Sequence, residues 1–125
     1  MSSWSDLTRN PSASTRTTTP AEEHEARELL DRATSLGAQP IGEVVSGVPV
    51  LVAGTVRSVT LRPATDTMRF EADLYDGTGH VTLIWLGRRR IAALNVGRFL
   101  VARGRVTDVN GHKAIYNPVY ELQAH

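Results

Sequence analysis

From Val48 to Leu122 the apolar residues recur at every second position, in runs separated by turn residues, and this rhythm constrains the fold more than any other feature. Such alternation means strands with one face in a core and the other in water. In a first strand over residues 48–61, Val50, Val52 and Val56 share one face, whereas Val59 and Leu61 have the opposite parity. A bulge or sharp coil is therefore expected near Gly54 or Ser58. In a second strand Met68, Phe70, Ala72 and Leu74 alternate with Arg69, Glu71, Asp73 and Tyr75. The run Tyr75-Asp76-Gly77-Thr78-Gly79 is turn chemistry, and Val81, Leu83 and Trp85 begin the return strand of a hairpin. Residues 88–95 read as a short helix presenting Ile91 and Leu94, ended by Gly97. A fourth strand over 98–109, the hairpin turn Asn110-Gly111 and a fifth strand over 112–122 complete the series. Strands one and four share the spacings Gly54-x-Val56-x-x-Val59 and Gly104-x-Val106-x-x-Val109, where glycine permits a sharp bend.

Upstream the period is helical. Thr19 as N-cap, Pro20 in the first turn and Glu22 three residues after the cap form a capping box. Glu22, Glu23 and Glu25 suit the helix dipole, Glu23/Arg27 and Glu28/Arg32 are i,i+4 pairs, and Gly37 suits the position just past the end. The helix should cover about residues 20–36. Its apolar stripe, Ala26, Leu29 or Leu30, Ala33 and Leu36, is too narrow and alanine-rich to stand alone in water, so it must dock on the domain or on a partner. Ahead of it, ten of the first nineteen residues are Ser or Thr, a composition that cannot offset the entropy of ordering.

Five strands with one helix between the third and fourth, in about 75 residues, is the layout of the OB-fold, an all-β five-stranded Greek-key barrel. An SH3-like barrel lacks a helix at that place, and a split βαβ fold needs two longer ones. The expected organisation is a disordered tail over 1–18, an N-terminal helix over 19–37 and the OB domain over 41–123. A length of 125 residues with 41% apolar content suits one such domain.

The formal net charge of +1 conceals an asymmetry. Residues 1–47 hold four Arg against seven Asp and Glu, and residues 48–125 hold ten Lys and Arg against six Asp and Glu. An acidic arm thus precedes a basic barrel. The absence of cysteine excludes disulfides, thiolate metal sites and cysteine nucleophiles. No apolar run approaches the ~20 residues of a membrane span and no signal-peptide core is present, which points to a soluble cytoplasmic protein.

The run Asp76-Gly77-Thr78-Gly79, then Val81-x-Leu83-x-Trp85, Leu94-x-x-Gly97, Gly104-x-Val106 and Asn117-Pro118-x-Tyr120-Glu121 resembles the OB-fold wedge domain of the RecG DNA helicase and related nucleic-acid-binding OB domains. The resemblance covers roughly residues 41–122. With its Ser/Thr tail and single leading helix, the chain is also similar to small stand-alone OB-fold proteins of actinobacteria. The shared motifs mainly encode turns and core, and no Walker-type phosphate loop occurs, so helicase activity is not implied. Gly87 departs from the wedge pattern, which has a polar residue there. Trp85-Leu86 stands where an aromatic pair is expected.

OB domains engage ligand on the face of strands two and three, between the loops joining strands one and two and strands four and five. That geometry nominates Arg57, Arg62, Arg69 and Lys113 as phosphate contacts, with Glu71 and Asp73 on the same face opposing a phosphate backbone. Tyr75, Trp85 and Tyr116 are the candidate stacking aromatics, although Trp85 has the parity of the core residues Val81 and Leu83. Arg88, Arg89 and Arg90 form the densest positive cluster, either a solvated face or an anion contact. The four histidines lie at no metal spacing, and Asp76, the one partner for Asp73 in a magnesium pair, begins a tight turn for which aspartate is a common choice. The expected function is non-enzymatic binding of single-stranded or junction DNA, with RNA as an option, without cofactor, metal or membrane. The alternative is a protein-interaction OB domain, an adaptor whose N-terminal helix or arginine cluster docks a partner in a larger assembly.

Overall fold

Helix α1 (Pro20–Ser35) leads through a 3-10 turn (Ile41–Glu43) into six strands. They are β1 (Pro49–Arg62), β2 (Arg69–Tyr75), β3 (His80–Leu86), β4 (Phe99–Val109), β5 (His112–Tyr116) and β6 (Val119–Leu122). The computed structural model describes residues 18–63 and 67–124, so the expected tail falls outside the described residues up to residue 17.

The strands pair antiparallel, β1 with β2, β2 with β3, β4 with β5 and β4 with β1, and β3 pairs parallel with β5. These pairings run β1-β2-β3-β5-β4 and return to β1, a closed circuit, while β6 ends the sheet beside β4. Inside the circuit one cluster gathers Val52 and Val56 of β1, Leu74 of β2, Leu83 of β3, Leu100 of β4 and Ile115 of β5. Those of β1, β2 and β3 come from the alternate positions that the period-two pattern marks. Ile91 and Leu94 of the β3–β4 connection join the same cluster.

The parity switch in β1 is a register shift between Val56 and Ser58, with Arg57 as the extra residue. It brings Val59 and Leu61 opposite Ala72 and Phe70, onto the core-facing side of the β1–β2 ladder. At both shared glycines a side chain is excluded by close approach. A Cβ on Gly54 would lie 2.4 Å from the Tyr75 carbonyl oxygen, and one on Gly104 would lie 2.5 Å from Ile115 Cγ2. Asn110 and Gly111 both adopt positive φ, 53° and 84°, as the two-residue turn between β4 and β5 requires.

Two expectations need correction. The fifth strand is two strands, because Asn117 takes the left-handed region at φ 49° and Pro118 has no N–H to donate. The break has a use: Asn117 Oδ1 accepts from Leu86 N at 3.1 Å, which caps the end of β3. Residues 88–95 form turns and no helix. Ala93 sits at φ 62°, where a right-handed helix cannot continue, and the three arginines at its start oppose the helix dipole. A single turn remains, Leu94 N donating to Ile91 O at 3.2 Å, and both side chains still plug the core.

Helix α1 docks on the sheet. Its capping box is formed, with Glu22 N donating to Thr19 Oγ1 at 3.0 Å and Thr19 N to Glu22 Oε1 at 2.9 Å. Ala33 packs with Ala53 and Phe99 on the outward face of β1 and β4, flanked by Leu29, Ala38 and Val101. Arg32 lies 4.0 Å over the Phe99 ring and donates to the Ala124 carbonyl. At the β2–β3 turn the helix comes so close that a Cβ on Gly77 would stand 2.1 Å from the Ala26 carbonyl oxygen.

The same turn is fastened from within by Asp76, which is fully buried. Its Oδ2 accepts from Ile41 N at 2.9 Å, and its Oδ1 accepts from Thr78 N at 2.8 Å, Thr78 Oγ1 at 2.6 Å and Gly79 N at 3.2 Å. Hydrogen bonds to a charged acceptor contribute about 1.5–3 kcal/mol each, and their donors are stranded when it is removed. Asp76→Ala should therefore cost on the order of 3 kcal/mol or more, and lower the melting temperature by roughly 10–20 °C in a calorimetric scan. Asp76→Asn, which keeps one acceptor oxygen, should fall between that variant and the parent.

Candidate nucleic-acid interface

The outward face of β2 carries Arg69, Glu71, Asp73 and Tyr75, half-buried in alternation with the core residues. Across β1 these stand opposite Arg62, Thr60, Ser58 and Thr55, and across β3 opposite Leu86, Ile84, Thr82 and His80. The register therefore sets Arg62 directly against Arg69, a like-charge pair that costs stability unless it is neutralised. Glu71 neutralises it. Its Oε1 accepts from Arg62 Nε at 3.0 Å, and its Oε2 lies 3.6 Å from the Arg69 Nη2. Arg69 Nη2 also donates to the Tyr116 hydroxyl at 3.2 Å, and its guanidinium lies 5.8 Å from that ring.

Beside this group runs a groove of about 440 Å³. Arg62, Arg69 and Glu71 bound one side, Asn110 and His112 of the β4–β5 hairpin bound the other, and Thr82, Ile84 and Ala114 lie between them. Ile84 and Ala114 are buried although their parity is outward, so the floor between the charged wall and the hairpin is closely packed. Arg88, Arg89 and Arg90 follow β3 and are exposed at the same end of the sheet as Arg62 and Arg69. Gly87 N donates to Met68 O at 2.7 Å, which ties the start of this arginine segment to the approach to β2.

The opposite end of the face is a different environment. Arg57 lies 4.6 Å over the Tyr75 ring and pairs with Glu25 of α1 at 3.3 Å. Tyr75 stacks on His80 with ring centroids 4.7 Å apart, and His80 Nδ1 lies 2.7 Å from Asp73 Oδ2. A cleft of about 560 Å³ between α1 and the β2–β3 turn is lined here by Glu22, Glu23, Glu25, Arg57, Tyr75 and His80. Its acidic helical wall repels phosphate. The apolar stripe of α1 is turned onto Ala53 and Phe99, so the helix presents mostly polar side chains outward.

The structure thus brings together Arg62, Arg69 and Tyr116, sets Arg88–Arg90 at the same end, and separates Arg57 and Tyr75 from them. Two nominated residues leave the face. Trp85 is only 4% exposed and packs edge-on against Phe70 and Tyr120, at centroid distances of 6.0 and 5.4 Å, so parity with Val81 and Leu83 decides its place. Lys113 has the parity of the buried Ile115, and its Nζ reaches the Ile41 carbonyl at 3.4 Å instead of the groove. Sequence reasoning missed Asn110 and His112 as groove residues. The signal was present, since the Asn110-Gly111 turn defines the loop that bounds such a face. Asp73 and Asp76 do not form a metal pair, since the first faces His80 and the second is enclosed by backbone N–H groups. Among the described residues no cluster of three or more His, Asp or Glu is placed to hold a metal ion, and no helix is long and apolar enough to cross a membrane.

No family model matches the chain, and no curated protein matches it. Solved structures do. The fold is similar to part of RecG bound to a three-way DNA junction, with a TM-score of 0.58 and 23% identity over 68% of this chain. The matched region is 12% of the RecG chain, so this protein corresponds to a small portion of that one. It is also similar to a chain of a replication protein A heterotrimer bound to single-stranded DNA, with a TM-score of 0.50 and 13% identity over 72% of this chain and 75% of that one. At these identities the likeness concerns the fold alone, which is OB-like.

Burial separates Trp85 from Tyr116 among the three candidate stacking aromatics. Trp85→Ala should destabilise the protein by about 3–5 kcal/mol in urea unfolding, as expected for emptying a core site. Tyr116→Ala, at a residue 37% exposed, should cost less than about 1 kcal/mol.

Proposed function

We propose that this protein is a non-enzymatic OB module that binds single-stranded or junction nucleic acid in the groove between Arg62/Arg69 and the β4–β5 hairpin. The supporting observation is the placement of that groove: it crosses the outward face of β2 and β3 between Arg62 and Arg69, at the ends of β1 and β2, and the β4–β5 hairpin, with two arginines on its wall. We take the closed circuit of β1-β2-β3-β5-β4, with β6 continuing β5 along β4, as the five-stranded OB barrel. In this reading residues 41–123 are the binding domain and α1 is a brace docked on it. Arg62 and Arg69 contact phosphates, Arg88–Arg90 extend the path, and Tyr116 offers a stacking surface worth about 1–3 kcal/mol per base. Arg57 and Tyr75 belong to the α1 cleft and contribute little. The ligand is DNA or RNA, no cofactor takes part, and the protein works in the cytoplasm.

Affinity is modest, because Glu71 and Asp73 oppose phosphate on the same face. With about three to five phosphates neutralised, log K against log salt should fall with a slope of about -2 to -3.5 in a fluorescence anisotropy titration with single-stranded DNA. Arg69→Ala should flatten the slope by about 0.7, and Glu121→Ala should leave it unchanged. Absence of binding at low salt to single-stranded DNA, junction DNA and RNA alike overturns the reading.

A further inference from the structure

We propose that Glu71 makes the groove selective for guanine; the inference rests on the nucleic-acid reading above and adds a base preference to it. A carboxylate on the wall of a phosphate-binding groove weakens backbone contacts, yet Glu71 is fixed in place rather than free to swing away. Its side chain is 14% exposed and is held by Arg62 on one oxygen and Arg69 on the other. An ionised carboxylate offers about four acceptor sites, so each oxygen keeps capacity for a second donor. Arg62 has a side chain 61% exposed, and it can turn to a phosphate and release its oxygen altogether.

The base edges differ in what they offer such a group. Guanine presents two adjacent donors, N1–H and N2–H, which match the two oxygens of one carboxylate, and beside them the O6 acceptor. Arg69 stands next to Glu71 to donate to that O6. Adenine and cytosine offer only an amino group on that edge, and thymine offers one imino donor between two carbonyls that a carboxylate repels. Asn110 and His112 stand across from the charged wall and bound the space that the base edge would enter. A purely structural Glu71, neutralising the Arg62/Arg69 pair, predicts no such preference.

The test uses the full chain and labelled oligo-dT strands that carry one central dG, dA, dC or deoxyinosine, read by anisotropy at fixed salt. The dG strand should bind about tenfold more tightly than plain oligo-dT, within the range of a good bidentate base contact. Deoxyinosine, which lacks the N2 amino group, should lose most of that gain. Glu71→Gln should bring the dG strand down to the oligo-dT level while oligo-dT binds as well as before or better. Equal binding of the dG and plain strands, preference for dA or dC, or a uniform loss on all strands in Glu71→Gln overturns the selectivity and leaves the binding reading intact. Failure to bind any strand removes both. Should Glu71→Gln fold poorly, equal binding of the dG and deoxyinosine strands by the parent protein overturns the proposal by itself.

Discussion

The arrangement of the whole domain turns on one buried carboxylate. Asp76 collects donors from its own hairpin turn, Thr78 and Gly79, and from Ile41, which is 35 residues earlier in the chain. Without it, backbone N–H groups at Ile41 and in the turn lose their acceptor inside the protein. The bond to Ile41 also draws the 3-10 turn over the end of the core, where Gly42 N donates to Thr78 Oγ1 at 2.9 Å and a Cβ on Gly42 would lie 2.7 Å from the Thr78 carbonyl oxygen. One side chain thereby fixes the tip of the β2–β3 hairpin, the entry to β1 and the seat of α1 on Gly77.

From that anchor the register follows, and from the register the candidate interface. Because Tyr75 pairs with His80 and every earlier pair follows in step, Arg69 and Glu71 arrive opposite Leu86 and Ile84. The bulge at Arg57 then decides what β1 adds: it sets Arg62 against Arg69, and it turns Arg57 itself toward Glu25. A one-residue change of register at that bulge would exchange the inward and outward sets on the far half of β1. Among the described residues helix α1 meets the basic face at the Arg57 end, through Glu25, and the groove by the β4–β5 hairpin has Arg62 and Arg69 beside Glu71.

Much of the fold was legible because period-two burial is a local property. Val50, Val52 and Val56, or Leu83 and Trp85, need only their neighbours in sequence to declare a face, and the capping box at Thr19 is likewise local. What failed was local evidence overruled by tertiary demands. Residues 88–95 have a helical spacing of Ile91 and Leu94, but both side chains must reach the core from a short connection, and the chain meets that demand with Ala93 in a left-handed conformation. Residues 112–122 look like one strand until Pro118 removes a donor. The candidate interface was legible as a face and not as a site: the alternation names Arg69 and Glu71, but only the strand pairings show that Arg62 and Tyr116 are their neighbours while Arg57 and Lys113 are held elsewhere.

The split of the last strand has a further consequence. A sheet that ends on a strand leaves a row of backbone groups to which another chain can add, the usual route to aggregation. Here the terminal strand is β6, only four residues long and introduced by a proline. So short a template offers few bonds in succession, and the exposed Val119 at its start adds little apolar surface to hold an incoming strand. The same Asn117-Pro118 step that caps β3 thus also sets the length of the strand that ends the sheet.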